Sequence, residues 1–265
     1  MRKSKFSGSF YSGDFGELDK QIKDSFTGKL GPGNLPEERC NNKIKAVIVP
    51  HAGYFFSGQC MAHGYKKISE SKMPEVYIVL GTNHQDKNNY ISLQDFQTPF
   101  GVVKNDIKLS RELGLEVNNS IHESEHSIEV QIPFLQFASK NSLAKLRIVP
   151  ILVGNCNDEL IKKLKNISKE VVFIVSSDLN HVGNNYGFFG DIDTLDKEII
   201  NLIELGNMEK IKEYFSKDNT VCGSQPILTV LCMLQTKGQL LKYYNSSEIS
   251  DEESNKVGYC SMLFD

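Results

Sequence analysis

The residues in this sequence best able to do chemistry are its histidines, at 51, 63, 84, 122, 126 and 181, and three of them share a context. His51 lies in Pro50-His51-Ala52-Gly53-Tyr54, His84 in Gly81-Thr82-Asn83-His84, and His181 in Ser176-Ser177-Asp178-Leu179-Asn180-His181. Each string follows a short run of β-branched and apolar residues. Neutral imidazole is the commonest protein ligand for transition metals, and two histidines from adjacent loops with one anionic ligand leave positions open for substrate or oxygen. His51 and His84 form the natural pair, and the third ligand is open between a carboxylate and a thiolate. Cys222, in Thr220-Val221-Cys222-Gly223-Ser224-Gln225-Pro226, precedes an apolar helix whose dipole would favour its thiolate. Spacing alone does not separate it from the buried filler that free cysteines usually are. In Glu125-His126-Ser127-Ile128-Glu129, His126 and Glu129 are three apart, so on a helix they share a face and could orient each other. The plainer reading is a helix start in which Glu125 and Glu129 complement the dipole. His63 and His122 lie outside strand-end turns and are assigned to the surface or to packing.

The elements that must position these groups follow from the apolar pattern. Residues 44–49, 76–80, 146–153 and 171–175 are runs rich in Val, Ile and Leu without strict alternation, the signature of strands covered on both faces. Phe15, Leu18, Ile22 and Phe26 recur at helical spacing, and segments 57–69, 125–138, 157–168, 192–205 and 225–234 also read as helices. Strands separated by helices predict a three-layer α/β/α sandwich with a mostly parallel sheet. Two further strands over 240–244 and 257–264 would make that sheet mixed, with an exposed polar loop over 246–256 between them. Ligands of open α/β sheets bind at the carboxyl ends of the strands, which is where the three histidine turns would meet.

Composition removes several alternatives. A chain of 265 residues, 40% hydrophobic, is long enough for a sizeable core, and without a repeat or long linker it reads as a single domain over 1–265. Its net charge of -3 supplies no cationic field for nucleic acid, and Lys66-Lys67 and Lys162-Lys163 read as solvated helix faces. No apolar run approaches the roughly 20 residues of a membrane span, and the N-terminus lacks the apolar core of a secretory signal, so a cytoplasmic protein is expected. The cysteines at 40, 60, 156, 222, 232 and 260 form no CxxC pair and read as reduced thiols.

Six strings in order, Ser7-Gly8-Ser9-Phe10-Tyr11, Pro50-His51-Ala52-Gly53-Tyr54 with Ser57-Gly58, Gly81-Thr82-Asn83-His84, Glu125-His126-Ser127-Ile128-Glu129, Ser176-Ser177-Asp178 with His181, and Cys222-Gly223, resemble the Memo family over nearly the whole chain. Archaeal and bacterial members are also known as component B of the AmmeMemoRadiSam system. The family is similar in fold to the class III extradiol (LigB-type) dioxygenases, non-haem iron enzymes with two histidines and a glutamate as ligands. The resemblance implies a metal pocket of His51, His84 and Cys222, with His181 as acid/base and Asp178 beside it; His126 is a further catalytic candidate. Phe10 stands where many relatives have tryptophan, and Asn180 replaces a usual small or thiol residue, so the pocket wall differs more than the ligands. Fe(II) is the first expectation for the metal, with copper or zinc as alternatives. A thiolate in place of glutamate makes the site softer and argues against ring cleavage. The expected function is a metal-dependent oxidoreductase acting on an unidentified small molecule. Zinc would make it a metallohydrolase. The competing readings are a peptide- or protein-binding module, with other AmmeMemoRadiSam components among its partners, and a metal-sequestering protein.

Overall fold

The computed structural model describes residues 1–217, 219–250 and 252–265. In chain order its strands are β1 (Ala46–Val49), β2 (Val76–Thr82), β3 (Asn89–Ile91), β4 (Phe96–Thr98), β5 (Gly101–Asn105), β6 (Glu116–Val117), β7 (Arg147–Val153), β8 (Val171–Ser176), β9 (His181–Gly183), β10 (Gln239–Asn245) and β11 (Asn255–Phe264). The helices are α1 (Phe15–Thr27), α2 (Tyr54–Glu70), α3 (Ile107–Glu112), α4 (Asn119–Ser124), α5 (His126–Glu129), α6 (Gln131–Ala138), α7 (Asp158–Lys165), α8 (Ile192–Leu205), α9 (Met208–Ser216) and α10 (Ser224–Leu234).

The sheet runs β10-β11-β1-β8-β2-β7-β3-β6, and its centre is parallel: β1 with β8, β8 with β2, β2 with β7. β11 joins β1 antiparallel and β10 joins β11 antiparallel, so the two C-terminal strands make the sheet mixed as their sequence position predicts. Alternate residues of one strand feed two separate cores. Val47 and Val49 face a core shared with Leu18, Ile22 and Phe26 of α1, Met61 and Tyr65 of α2 and Phe134 of α6. Ala46 and Ile48 face the other, shared with Leu160, Ile199, Ile203, Ile227 and Val230 from α7, α8 and α10. This is the three-layer α/β/α arrangement, with every central strand buried on both faces.

Some local structure departs from the sequence reading. The expected helix over 125–138 is two: α5 stops at Val130 and α6 restarts at Gln131, which places Pro133 in a first turn where its missing N–H costs nothing. The short strands β3 to β6 and β9, and helices α3, α4 and α9, were not anticipated; most are too short for a periodic signal. Of the loop expected over 246–256, Asp251 lies outside the described residues. Asn245 caps a 3-10 turn (Ser246–Glu248) there, and β11 begins at Asn255.

Candidate metal centre

Three strand ends and two helix starts converge at the carboxyl edge of the sheet. His51 follows β1, His84 follows β2, the Ser177-Asp178 turn follows β8, His126 opens α5, and Cys222 stands two residues before α10. A network of hydroxyls fixes these segments to one another. Ser127 Oγ donates to Thr82 O at 2.8 Å, Ser176 Oγ donates to Ser127 O at 2.6 Å, and Thr82 Oγ1 donates to Ser176 O at 3.1 Å. Glycine allows the closest approaches. A Cβ at Gly81 would lie 2.5 Å from Ile128 Cγ1, and one at Gly223 would lie 2.2 Å from Ser177 Cβ.

His51, His84 and His126 come together, each offering a ligand atom within 4.8 Å of the others. His84 and His126 stack, ring centroids 5.0 Å apart at 13°, and His51 meets both edge-on at 5.3 and 5.1 Å. Proton accounting fixes the tautomers of His51 and His84. The Ser176 hydroxyl gives its hydrogen to Ser127 O and accepts from Gln131 Nε2 at 2.8 Å, so its 3.1 Å contact with His51 Nδ1 is the ring N–H donating. Glu125 accepts from His84 Nδ1 at 3.0 Å and stands 3.3 Å from His126 Nδ1. In His51 and His84 Nδ1 carries the hydrogen and Nε2 keeps a lone pair, the arrangement in which an outer carboxylate or hydroxyl orients a ligating imidazole, and the Glu125 carboxylate stands beside His126 Nδ1 as well.

The electrostatics agree. Burial holds His51 well below its ordinary value, helped by the neighbouring His126 and His84, and burial likewise brings His126 down to about 4. Both are therefore neutral near pH 7, as ligands must be. Burial alone would raise Glu125, but the hydrogen bond and charge of His84, the Ser127 amide and His126 outweigh it and hold the carboxyl at about 2. Glu125 is an ionised acceptor, also taking the His84 amide at 3.1 Å and capping α5 through Ser127 N at 2.9 Å.

The other residues singled out from sequence are placed differently. Cys222 Sγ lies 3.1 Å from His51 Nε2. Burial, with Asp178 nearby, pushes its thiol up, which outweighs the helix-dipole effect expected at the start of α10; the thiol donates to the Nε2 lone pair. Asp178 is buried and anchors the β1–α2 turn, its Oδ1 accepting from the amides of His51 at 2.8 Å and Ala52 at 3.3 Å. Burial raises its pKa, and the charge of His181 and the His51 amide oppose that only in part. His181 Nδ1 donates to Leu179 O and Thr220 O, both at 3.0 Å, and its ring packs edge-on against Tyr186 at 5.0 Å; it touches none of the three clustered histidines. Its Nε2 has no hydrogen-bond partner among the described residues. The His126–Glu129 pairing does not form. Glu129 instead binds the N-terminal segment: it pairs with Arg2 and accepts from Lys5 N at 3.0 Å, Phe6 N at 2.8 Å and Tyr11 Oη at 2.7 Å. His63 and His122 are packing residues, bonded to Leu30 O and Tyr90 O.

Arg2, 1% exposed, gave no sequence signal beyond being part of a basic terminus. It donates to the carbonyls of His122 at 2.6 Å and Glu125 at 3.0 Å as well as to Glu129, so it fixes the segment that carries Glu125 and His126. The strap it anchors brings Phe10 against the His126 ring at 4.7 Å and Phe6 at 5.7 Å.

A family model for Memo-like proteins matches residues 2–263. The chain belongs to the Memo family. Among curated relatives, a Memo family protein of Sulfurisphaera tokodaii is 33% identical over 97% of both chains, and one of Methanobrevibacter smithii is 33% identical over 100% of this chain and 99% of its own. An uncharacterized protein of Escherichia coli K12, solved by crystallography, shares the fold at a TM-score of 0.52 with 11% identity, covering 84% of this chain and all of its own. In this Memo protein the histidine, aspartate and cysteine strings noted above lie at the strand ends, and Ser7–Tyr11 belongs to the strap, which packs Phe10 on His126. Among the described residues, no helix is long and apolar enough to cross a membrane.

Proposed function

We propose that this Memo protein is a mononuclear iron(II) protein of redox type, in which His51, His84 and His126 bind the metal through Nε2. The observation that carries this reading is the set of three imidazoles whose ligand atoms lie within 4.8 Å of one another, with the Nδ1 hydrogens of His51 and His84 committed and Glu125 beside that of His126. Nitrogen donors with an adjacent thiol suit a first-row transition metal, and Glu125 is occupied in holding ligands rather than offering itself as one. Bound iron would supply one-electron and oxygen chemistry at this point. Cys222 adds a sulfur donor on the His51 side when its proton leaves, which couples metal affinity to pH. His181, with Nδ1 fixed and Nε2 free, moves protons to and from a small-molecule substrate, and Asp178 positions His51 through its backbone. Phe6 and Phe10 shield the His126 side from water.

The test is metal content, by elemental mass spectrometry, of protein purified without oxygen, comparing wild type with His51→Ala, His84→Ala, His126→Ala and Cys222→Ala. Near-stoichiometric iron that is lost in the histidine variants supports the proposal. Zinc in its place supports a hydrolytic centre, since three histidines with an open position also activate water on zinc. A folded wild type that takes up no metal on reconstitution overturns both. It would favour a peptide-binding pocket, for which the exposed Phe55 and Phe56 beside Phe10 supply apolar contact.

A further inference from the structure

A second pair of reactive side chains lies away from the histidine cluster, on the outer half of α10. Cys156, in the turn that leads from the carboxyl end of β7 to α7, faces one stripe of that helix. Gln225, Thr229 and Cys232 are spaced by four and three residues, so they lie above one another on the helix surface. Cys156 engages all three: its amide donates to Gln225 Oε1 at 2.8 Å, and its thiol meets the Thr229 hydroxyl and the Cys232 thiol. Both cysteines are free and partly exposed, and α7 and α10 pack along each other, which holds the two thiols in place. The pair is separate from the metal centre: Cys222 precedes α10, and Cys232 lies eight residues beyond its first residue, Ser224, about 12 Å along the helix.

We propose that Cys156 and Cys232 are a redox modification site, closing a reversible intramolecular disulfide by exchange with a small-molecule disulfide such as oxidised glutathione. One cysteine, as thiolate, attacks a glutathione sulfur, breaking the glutathione S–S bond and releasing one glutathione thiol. The second attacks the mixed disulfide at the protein sulfur and releases the other. The protein loses two hydrogens and two electrons, forms one S–S bond, and two glutathione thiols take up both. The bond clips the β7–α7 turn to α10. It also cross-links positions 76 residues apart, so it restrains the unfolded chain and raises the melting temperature.

The full chain, carrying Cys40→Ser to remove the exposed thiol, is incubated with oxidised glutathione at about pH 8.5, near the ordinary thiol pKa. It is then alkylated, digested and mapped by mass spectrometry. The expected result is one linked peptide pair joining Cys156 to Cys232, two fewer alkylatable thiols, a melting temperature higher by several degrees, and reversal of all three by dithiothreitol. In the Cys232→Ser variant the link and the thermal gain should both be missing. Persistent glutathione adducts on either cysteine, linkage of either to another cysteine, or both thiols still fully alkylatable would overturn the proposal.

Discussion

The two flanks of the metal centre treat protons in opposite ways. On the flank made by β2 and α5, burial acts on bases: His126 is lowered to about 4, and Glu125, although buried, is held at about 2 by the imidazoles and amides around it. On the flank made by β8 and the approach to α10, burial acts on acids, raising both Asp178 and the Cys222 thiol. Loss of water is common to both, and the density of hydrogen-bond donors differs. Glu125 receives the His84 ring, the His84 amide and the Ser127 amide, whereas Cys222 has His51 Nε2 and a backbone carbonyl at 3.6 Å. The first flank presents lone pairs in advance; on the second, the Cys222 thiol keeps its proton until something displaces it.

The largest effect should come from removing the strap that closes the first flank. Glu129→Ala leaves Arg2 buried without its carboxylate and strips acceptors from Lys5 N, Phe6 N and Tyr11 Oη. Breaking one half of a buried pair typically costs about 3–5 kcal/mol, so chemical denaturation should show a loss of that order. A loss below about 1 kcal/mol would mean that the strap is not part of the folded core. Next comes Glu125→Ala, which withdraws the acceptor from His84 Nδ1 and the nearby carboxylate from His126 Nδ1. A chelator-competition titration should show metal affinity falling about 10–100-fold, as for other outer-shell carboxylates, with Glu125→Gln retaining part of it. An unchanged affinity would remove the carboxylate from the account of the centre.

The same contrast sets the response to acid. The buried histidines His51, His122 and His126 take up protons in the unfolded chain near the ordinary value of 6.5, but His122 and His126 do so in the folded chain only at about 4. At these rings the unfolded state therefore binds more protons across that window. The stability these rings contribute should be full above about 6.5 and fall as the pH drops toward 4, opposed over the same window by the buried carboxyls of Asp196, raised to about 7, and Asp178, with Glu125 adding a further loss between 4.5 and about 2. A thermal melt series over about pH 8 to 4 in which His122→Gln loses stability as steeply as wild type would contradict the burial of that ring. The thiol flank gives the complementary signal. Loading metal in weakly buffered solution should release about one proton from Cys222 in wild type and about none in Cys222→Ser.

The strand-end histidines were legible because their chemistry coincides with the topology: an apolar run, a turn and a histidine, three times over. His51 and His84 meet for that reason. The positions that complete and support the cluster were less visible because they depend on contacts between distant segments. His126 and Glu129 have the spacing of a helical pair, yet Arg2, 127 residues from Glu129 in sequence, takes the carboxylate, and Glu125 takes the histidine. Gln131 and Ser176, which fix the tautomer of His51, look like any polar residues at an element boundary. Two- and three-residue strands such as β6 and β3 likewise owe their form to the neighbour they pair with and carry too few residues for a pattern.

The smallest effect on metal is expected at His181, and for that reason it divides binding from chemistry. The ring is tied by Nδ1 to two carbonyls and touches none of the clustered imidazoles, so His181→Ala should leave metal stoichiometry unchanged and affinity within about twofold. Any turnover that depends on proton transfer should nevertheless fall by about 100-fold or more. His181→Asn keeps a side-chain amide able to reach the same carbonyls. It should restore the local fold without restoring the proton, so the alanine and asparagine variants should share one catalytic defect while differing in thermal stability. If both retain full activity with metal bound, His181 serves only to hold the β8–β9 turn against Thr220, and the proton-holding flank contributes through Cys222 alone.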